Sequence, residues 1–350
     1  MKNVLVYCRQ GFEKDCAAEL SDVASNKGFY GYAKVVPDSG YVVFHLDQAD
    51  AGESLIQQLQ FNRLIFARQI IAVNDVIELE QGGRVELLLE AARELPLAEE
   101  VWIETADTNE AKALSGLIKK LDKPLKEGWK KSGVLRNKAV GVRHHVFLLS
   151  GEEAYLGVSY AACRSEFPLG IRRLRFPAAG PSRSTLKLEE AFLQFVPEKT
   201  READLTEGMT AVDLGAAPGG WTYQFVKKGI HVFAIDNGPM QKELMSTGLV
   251  QHEKADGFKF EPPYTVDWLV CDMVERPIKV AELMAKWLAN GWTRRAIFNL
   301  KLPMKKRFQE VSLCLQLIED LLKKSGVGYQ YQVKHLYHDR EEVTVCIMVK

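Results

Sequence analysis

The run Val212-Asp213-Leu214-Gly215-Ala216-Ala217-Pro218-Gly219-Gly220-Trp221-Thr222 constrains the fold of this chain more than any other segment. It reads as a buried strand, a tight glycine turn and the start of a helix. In an open α/β sheet such a turn lies outside the carboxyl ends of the strands, where ligands bind. Glycines there let the backbone approach a ligand closely. The run is not the G-x-G-x-x-G dinucleotide fingerprint. Pro218 removes a backbone N–H where a pyrophosphate needs a donor. The site therefore suits an uncharged or zwitterionic nucleotide-like ligand. Asp236, about 20 residues further on at the end of the next strand, is placed to take ribose hydroxyls.

The flanking pattern agrees. Apolar strands over 210–214, 231–236, 267–272 and 295–300 alternate with helices over 219–227, 280–289 and 306–324. Such alternation predicts an α/β, doubly wound, mostly parallel sheet. An antiparallel pair over 329–334 and 343–349 closes it. Upstream, a strand over 3–8, a helix over 13–26, a second strand over 41–45 and a short helix over 54–60 give the rhythm of an α+β ferredoxin-like module. A second unit begins near Arg63. It has strands over 64–73 and 101–105, helices over 84–93 and 111–121, and a hairpin over 140–150 and 154–160. The stretch 166–184 is rich in Pro and Gly and carries Arg172, Arg173, Arg175 and Arg183, as expected for a basic linker that touches substrate. The expected domains are thus 1–62, 63–165, a linker 166–184, and 185–350.

Composition narrows the function. Of 350 residues, 47% are hydrophobic and 26% charged, which excludes a disordered chain. The six cysteines form no C-x-x-C pair or Cys/His cluster, so no zinc or other metal site is expected. No apolar run approaches the roughly 20 residues of a membrane helix, and no signal-peptide core follows Met1. A cytoplasmic monomer is the expectation. The net charge of +0 hides a strong asymmetry. Residues 1–110 hold 9 basic and 19 acidic residues, a net of −10, whereas residues 111–187 hold 16 and 5, a net of +11. A basic middle segment is the footprint of a polyanion partner, read against the plainer alternative of a solvated lysine-rich helix face. Trp129 and Trp221 are candidates to stack on bases, although isolated tryptophans more commonly pack in a core.

The glycine-turn segment resembles motif I of S-adenosylmethionine-dependent methyltransferases, in the D-x-G-x-x-P-G-G-[WF] form of FtsJ-like ribose 2′-O-methyltransferases. The resemblance runs from about residue 182 to the end. It implies a Rossmann-like domain with a seven-stranded sheet and S-adenosylmethionine as cofactor. It also implies Ala217, Pro218, Gly219 and Gly220 along the methionine side, Asp236 on the ribose, Asp256 near the adenine amine, and Ser184 and Asp272 close by.

Ribose-methylating relatives carry a Lys-Asp-Lys-Glu tetrad, and four residues stand in that order. Lys187 opens a helix over 186–196, ahead of the stripe Leu188, Phe192, Phe195 and Val196. A cation there opposes the helix macrodipole, which favours a neutral amine. Asp272 and Lys301 end strands. Glu342 precedes the last strand, with Glu341 as the alternate. The chemistry wants such a set. A ribose 2′-hydroxyl must lose its proton as it attacks, and a lysine base needs its pKa brought from ~10.4 toward ~7–8. Lys301 is the expected proton acceptor, Asp272 orients it, and Lys187 and Glu342 position the ribose. Lys305, Lys306 and Arg307 would meet the substrate backbone. Rival methylations want other residues. Cytosine C5-methylation needs a nucleophilic cysteine near Asp-x-Pro. Cys271 instead precedes Asp272, on the predicted strand.

Across its whole length, including "Ser-Arg-Ser-Thr-Leu-Lys-Leu-Glu-Glu-Ala" and "Tyr-His-Asp-Arg-Glu-Glu-Val-Thr-Val", the chain resembles the bacterial RlmM family, which methylates the 2′-hydroxyl of one cytidine in 23S ribosomal RNA. The resemblance implies a THUMP RNA-binding domain over 63–165. Family members usually carry Cys before Pro-Gly-Gly. Ala217 is equally small, so no change in chemistry is expected. Two other readings stay open: a 2′-O-methyltransferase of another RNA such as tRNA, and a non-catalytic RNA-binding ribosome-assembly factor.

Overall fold

Asn3-Val-Leu-Val-Tyr7 is buried at all five positions, as a strand covered on both faces must be, and it forms β1 (Asn3–Tyr7) at the middle of the first sheet. The computed structural model describes residues 1–136 and 141–350. It divides into two units, Met1–Arg172 and Arg173–Lys350. In the first, β1, α1 (Glu13–Ser25), β2 (Gly31–Val35), β3 (Tyr41–Leu46), α2 (Gly52–Gln58) and β4 (Gln69–Val73) form a βαββαβ ferredoxin-like module. The β2 strand has no counterpart in the sequence reading. Its residues Gly-Tyr-Ala-Lys-Val are largely exposed on the sheet edge and show no apolar alternation. The strand expected over 64–73 starts only at Gln69, because a single 3-10 turn over Phe61–Arg63 and an irregular stretch precede it. It pairs antiparallel with β1 and, on its other side, with the strand Glu153–Tyr160.

The rest of this unit is β5 (Ile77–Glu78), α3 (Arg84–Ala92), β6 (Glu100–Thr105), α4 (Ser115–Lys131), β7 (Val142–Leu148) and β8 (Glu153–Tyr160). These strands continue the sheet in the order β2-β3-β1-β4-β8-β7-β6, with β5 beside β8. The helix expected over 111–121 is instead a 3-10 turn over Ala111–Leu114 followed by the longer α4, which runs through Pro124. Leu125 and Trp129 anchor its far half in the core, and that packing outweighs the missing proline N–H. Val140, the expected first residue of the hairpin, lies outside the described residues. Trp129 is fully buried, and its Nε1–H donates to His144 Nδ1 at 3.0 Å, so it is a core residue rather than a stacking platform.

The second unit contains α5 (Thr185–Phe195), α6 (Arg201–Asp204), β9 (Thr210–Leu214), α7 (Gly220–Val226), β10 (His231–Ile235), α8 (Lys242–Met245) and β11 (Val250–Glu253). It continues with β12 (Trp268–Cys271), α9 (Pro277–Ala289), β13 (Arg295–Lys301), α10 (Arg307–Lys324), β14 (Tyr329–Lys334) and β15 (Glu342–Val349). The sheet order is β11-β10-β9-β12-β13-β15-β14, parallel except for β15, which is antiparallel to both neighbours. The chain moves one way from β9 to β11 and the other way from β12 to β13. The crevice between β9 and β12 is therefore the topological switch point. Phe192, Phe225 and Trp268 meet face to edge or tilted beneath it, with ring centroids 5.4 to 6.4 Å apart. Burying such side chains contributes about 1.5–3 kcal/mol each to holding the helices on the sheet. Trp221 joins this core and is not available to a base.

Candidate active site

Sheet polarity explains why two lysines and two carboxylates meet. Parallel strands β12 and β13 bring their carboxyl ends, and so Asp272 and Lys301, to one edge of the sheet. The antiparallel β15 brings its amino end to that same edge, and its register sets Glu342 opposite Lys301. Glu342 is thus the first residue of the strand, not the residue before it. Lys187, in the first turn of α5, completes the group.

Each carboxylate bridges both amines. Lys187 Nζ lies 3.3 Å from Asp272 Oδ2 and 2.6 Å from Glu342 Oε1. Lys301 Nζ is bonded to Asp272 Oδ1 and lies 3.1 Å from Glu342 Oε2. All four side chains are largely enclosed; the most open, Lys301, is 20% exposed. Two ammonium groups and two carboxylates leave the cluster neutral, which is how charges tolerate partial burial. Glu341, the alternate fourth member, points elsewhere and pairs with Arg307 Nη2 at 2.7 Å.

The charges of this group correct one expectation. Burial pulls the Lys301 pKa down, but the carboxylates of Asp272 and Glu342 outweigh it, and the net shift is upward from the ordinary lysine value. Lys301 is therefore held as an ammonium in the free protein, not poised near neutrality. Burial likewise pushes Glu342 up, and the charges of Lys301 and Lys187 overcome that and hold it below the usual carboxylate range.

A cleft of ≈ 600 Å³ opens beside the tetrad at the switch point, lined by Gly215, Ala217, Asp236, Asp256, Asp272 and Met273 among others. Asp236 is fixed by its neighbours: Oδ2 accepts the Ala217 N–H at 3.0 Å and Oδ1 accepts the Gly238 N–H at 2.7 Å. Each oxygen keeps a lone pair for a ligand hydroxyl. Asp256 Oδ1 accepts the Phe258 N–H at 2.9 Å.

Gly219 and Gly220 serve packing on their open side. A Cβ on Gly219 would collide with Leu244, and one on Gly220 with Ser184 Oγ. Ser184, whose hydroxyl is 2.7 Å from that of Ser182, precedes α5 and abuts the glycine turn. The Pro218 carbonyl accepts the Gln241 N–H at 3.0 Å. Ser184, Pro218, Gly219 and Gly220 thus stand at the turn but not among the cleft walls. Asp213, beneath the turn, is pushed up to about 7 by burial, in spite of the Thr222 hydroxyl 2.7 Å away.

Cys271 is fully buried and burial pushes its thiol up to about 12, so it cannot serve as a nucleophile near neutral pH. Lys305 and Lys306 are exposed just beyond Lys301. Sequence reasoning missed Asn299, whose Nδ2–H donates to Asp272 Oδ1 at 2.9 Å. The available signal was the two-residue period of a strand, which puts Asn299 and Lys301 on one face. Among the described residues, no group of three or more His, Cys, Asp or Glu side chains is arranged to hold a metal, and no helix is long and apolar enough to cross a membrane.

Comparison with known proteins adds the following. Family profiles match in three stretches: RlmM ferredoxin-like domain over residues 1–71, ribosomal RNA large subunit methyltransferase M, N-terminal, over residues 83–160, and FtsJ-like methyltransferase over residues 181–342. Proteins described as ribosomal RNA large subunit methyltransferase M are similar from end to end. That of Marinomonas sp. (strain MWYL1) is 90% identical, and that of Haemophilus influenzae (strain PittGG) is 49% identical, each over 100% of both chains. That of Pasteurella multocida (strain Pm70) is 48% identical over 100% of this chain and 99% of its own.

Proposed function

The chain belongs to the ribosomal RNA large subunit methyltransferase M family, and on that premise we propose that it methylates the 2′-hydroxyl of one cytidine in 23S ribosomal RNA, with S-adenosylmethionine as donor. The observation that carries the reading is the pair of amines sharing both carboxylates at the rim of the cleft.

The cleft fits the donor. Its floor carries acceptor oxygens at Asp236 and Asp256, suited to ribose hydroxyls and an adenine amine, and no lysine or arginine is among its lining residues to receive a pyrophosphate. Ala217 lines the cleft and is assigned to the methionine end; Pro218, Gly219, Gly220 and Ser184, outside the cleft walls, are assigned to the turn that sets its backbone. When bound, S-adenosylmethionine would supply an electrophilic methyl group. The chain's own part is to make a nucleophile of the sugar. Lys187 and Glu342 position the ribose, and Lys301 Nζ takes the 2′-hydroxyl proton. Lys301 must first lose its own proton to water, and the carboxylates resist that. Asp272, which lines the cleft and touches both lysines, orients Lys301 toward the donor.

The sequence boundary near 63 moves past β4, which belongs to the ferredoxin-like module; the remainder up to 165 is assigned as the THUMP RNA-binding domain of a cytoplasmic monomer, and the arginines of 166–184 as substrate contacts. Lys301→Ala tests the core of the reading. Transfer of a labelled methyl group to 23S RNA should fall by at least about 10³-fold, within the range for loss of a proton acceptor. Calorimetric binding of S-adenosylmethionine should stay near wild type. Full activity in that variant removes Lys301 from the role. Mapping of the methylated nucleotide separates 23S RNA from tRNA as substrate. No measurable donor binding to the wild-type chain would favour an assembly factor.

A further inference from the structure

Behind the tetrad lies a row of side chains that no substrate reaches. Asn299, Thr344 and Asp339 are all fully buried. Asn299 gives its Nδ2–H to Asp272 Oδ1, so its own Oδ1 is left to accept, and the Thr344 hydroxyl lies 2.8 Å from it. The same hydroxyl lies 3.1 and 2.9 Å from the two Asp339 carboxyl oxygens. A threonine hydroxyl has one hydrogen. Were Asp339 ionised, that hydrogen would face three acceptors, and at least one contact would set lone pair against lone pair in a site closed to bulk solvent. A hydrogen on Asp339 removes the conflict: its O–H donates to Thr344, and the Thr344 hydrogen is free for Asn299 Oδ1.

We infer that Asp339 is a neutral carboxylic acid whose O–H donates to Thr344, so that a one-way chain from Asp339 through Thr344 to Asn299 fixes the oxygen of Asp272 that faces Lys301. The surroundings agree. The Leu336 N–H donates to Asp339 Oδ2 at 3.0 Å, while Glu342 on β15 and Glu190 on α5 face it with like charge, and the His335 Nε2–H donates to the Arg340 carbonyl oxygen at 2.9 Å. Burial first, then Glu342 and Glu190, hold Asp339 well above the usual carboxylate range. Asp339, Thr344 and Asn299 are positioning residues: they touch neither ribose nor donor, and their effect on turnover rests on the function proposed above.

The test uses the full chain. Asp339→Asn keeps shape and offers an amide N–H to Thr344 and an amide oxygen to the Leu336 N–H. Asp339→Ala and Thr344→Val break the chain. Because misplacing an oriented group costs about 10- to 100-fold, Asp339→Ala and Thr344→Val should lower kcat by at least about tenfold. KM for RNA and the Kd for S-adenosylmethionine should move less than about threefold, and Asp339→Asn should hold kcat within about threefold of wild type. An Asn variant as slow as the Ala variant, or a Thr344→Val enzyme with full turnover, overturns the inference. Thermal unfolding supplies a readout independent of catalysis. A carboxyl whose folded pKa is raised contributes stability at low pH that is lost as pH climbs from its unfolded value toward its folded one. Wild type should therefore lose stability relative to Asp339→Asn between pH 5 and 8. A flat or narrowing gap overturns the neutral acid. A wild-type chain that methylates no RNA would sink the functional reading and leave this comparison standing on its own result.

Discussion

Lys301 carries two opposed demands, and the balance sets a measurable pH dependence. In the reaction proposed above it must be neutral to take a proton, yet Asp272 and Glu342 hold its pKa above the ordinary lysine value in the free protein. The pH profile of kcat/KM reports the free enzyme. The fraction of neutral Lys301 rises about tenfold per pH unit below its pKa, so log kcat/KM should climb with a slope of about +1 from pH 6.5 to 9 without levelling. A plateau beginning near pH 7 would mean that the free lysine is already neutral and that the carboxylates do not govern it. Asp213 gives a second case, with the sign worked through stability. Its folded pKa of about 7 stands above the ordinary carboxylate value, so its contribution is present at low pH and lost as pH rises from about 4 through about 7. Asp213→Asn should therefore gain on wild type by up to about 3 kcal/mol between pH 5 and pH 8, measured by urea unfolding at the two pH values.

The glycine turn after β9 shows how an element places the site, and two glycines with nearly equal φ separate its causes. Gly208 has φ +86° with nothing near a Cβ, whereas Gly215 has φ +78° with Met273 Cγ 2.7 Å from one. Alanine at either site bears a left-handed penalty of about 1–2 kcal/mol. Gly215→Ala must also displace Met273, the residue after Asp272. Urea unfolding should show Gly215→Ala less stable than Gly208→Ala by at least about 1 kcal/mol, and equal losses would assign the cost to φ alone. Elements of this kind were legible in the sequence. Strands β9, β10, β12 and β13 are largely apolar runs broken by few polar residues, and Gly-Gly and Pro mark the turn chemically. Elements whose stability comes from elsewhere were not. The β2 strand is an exposed edge held by main-chain pairing to β3, and the far half of α4 is held by Leu125 and Trp129 in spite of Pro124. At the site, Lys187, Asp272, Lys301 and Glu342 could be named because each stands at an element end in family order. Asn299, Thr344 and Asp339 could not, because a buried polar residue declares its role only through its partners. The direction of the Lys301 shift was hidden for the same reason. It depends on how near two carboxylates come, which no spacing along the chain states.

At the scale of the whole molecule, charge is the property that no single element explains. The acidic residues 1–110 and the basic residues 111–187 nearly cancel, at −10 and +11, so the proposed association with RNA rests on where the cations stand rather than on net charge. The α4 helix separates two kinds of lysine. Lys123 and Lys126 pair with Glu127 and Asp122 of the same helix, and their charge is partly spent there. Lys119, Lys120, Lys130 and Lys131 stand exposed in solvent on that helix. If this helix meets phosphates, the four act through counterion release, and each lost contact lowers the slope of log K against log salt by about 0.7–0.9. Replacing all four by alanine should reduce that slope by about 3 and weaken RNA binding at low salt. The melting temperature and the Kd for S-adenosylmethionine should not change, because none of the four packs in the core. Filter binding of a 23S fragment from 50 to 300 mM salt decides the matter. An unchanged slope would make α4 a solvated face and shift the search for the phosphate-binding surface to the arginines of 166–184, where the same measurement on Arg175→Ala and Arg183→Ala applies.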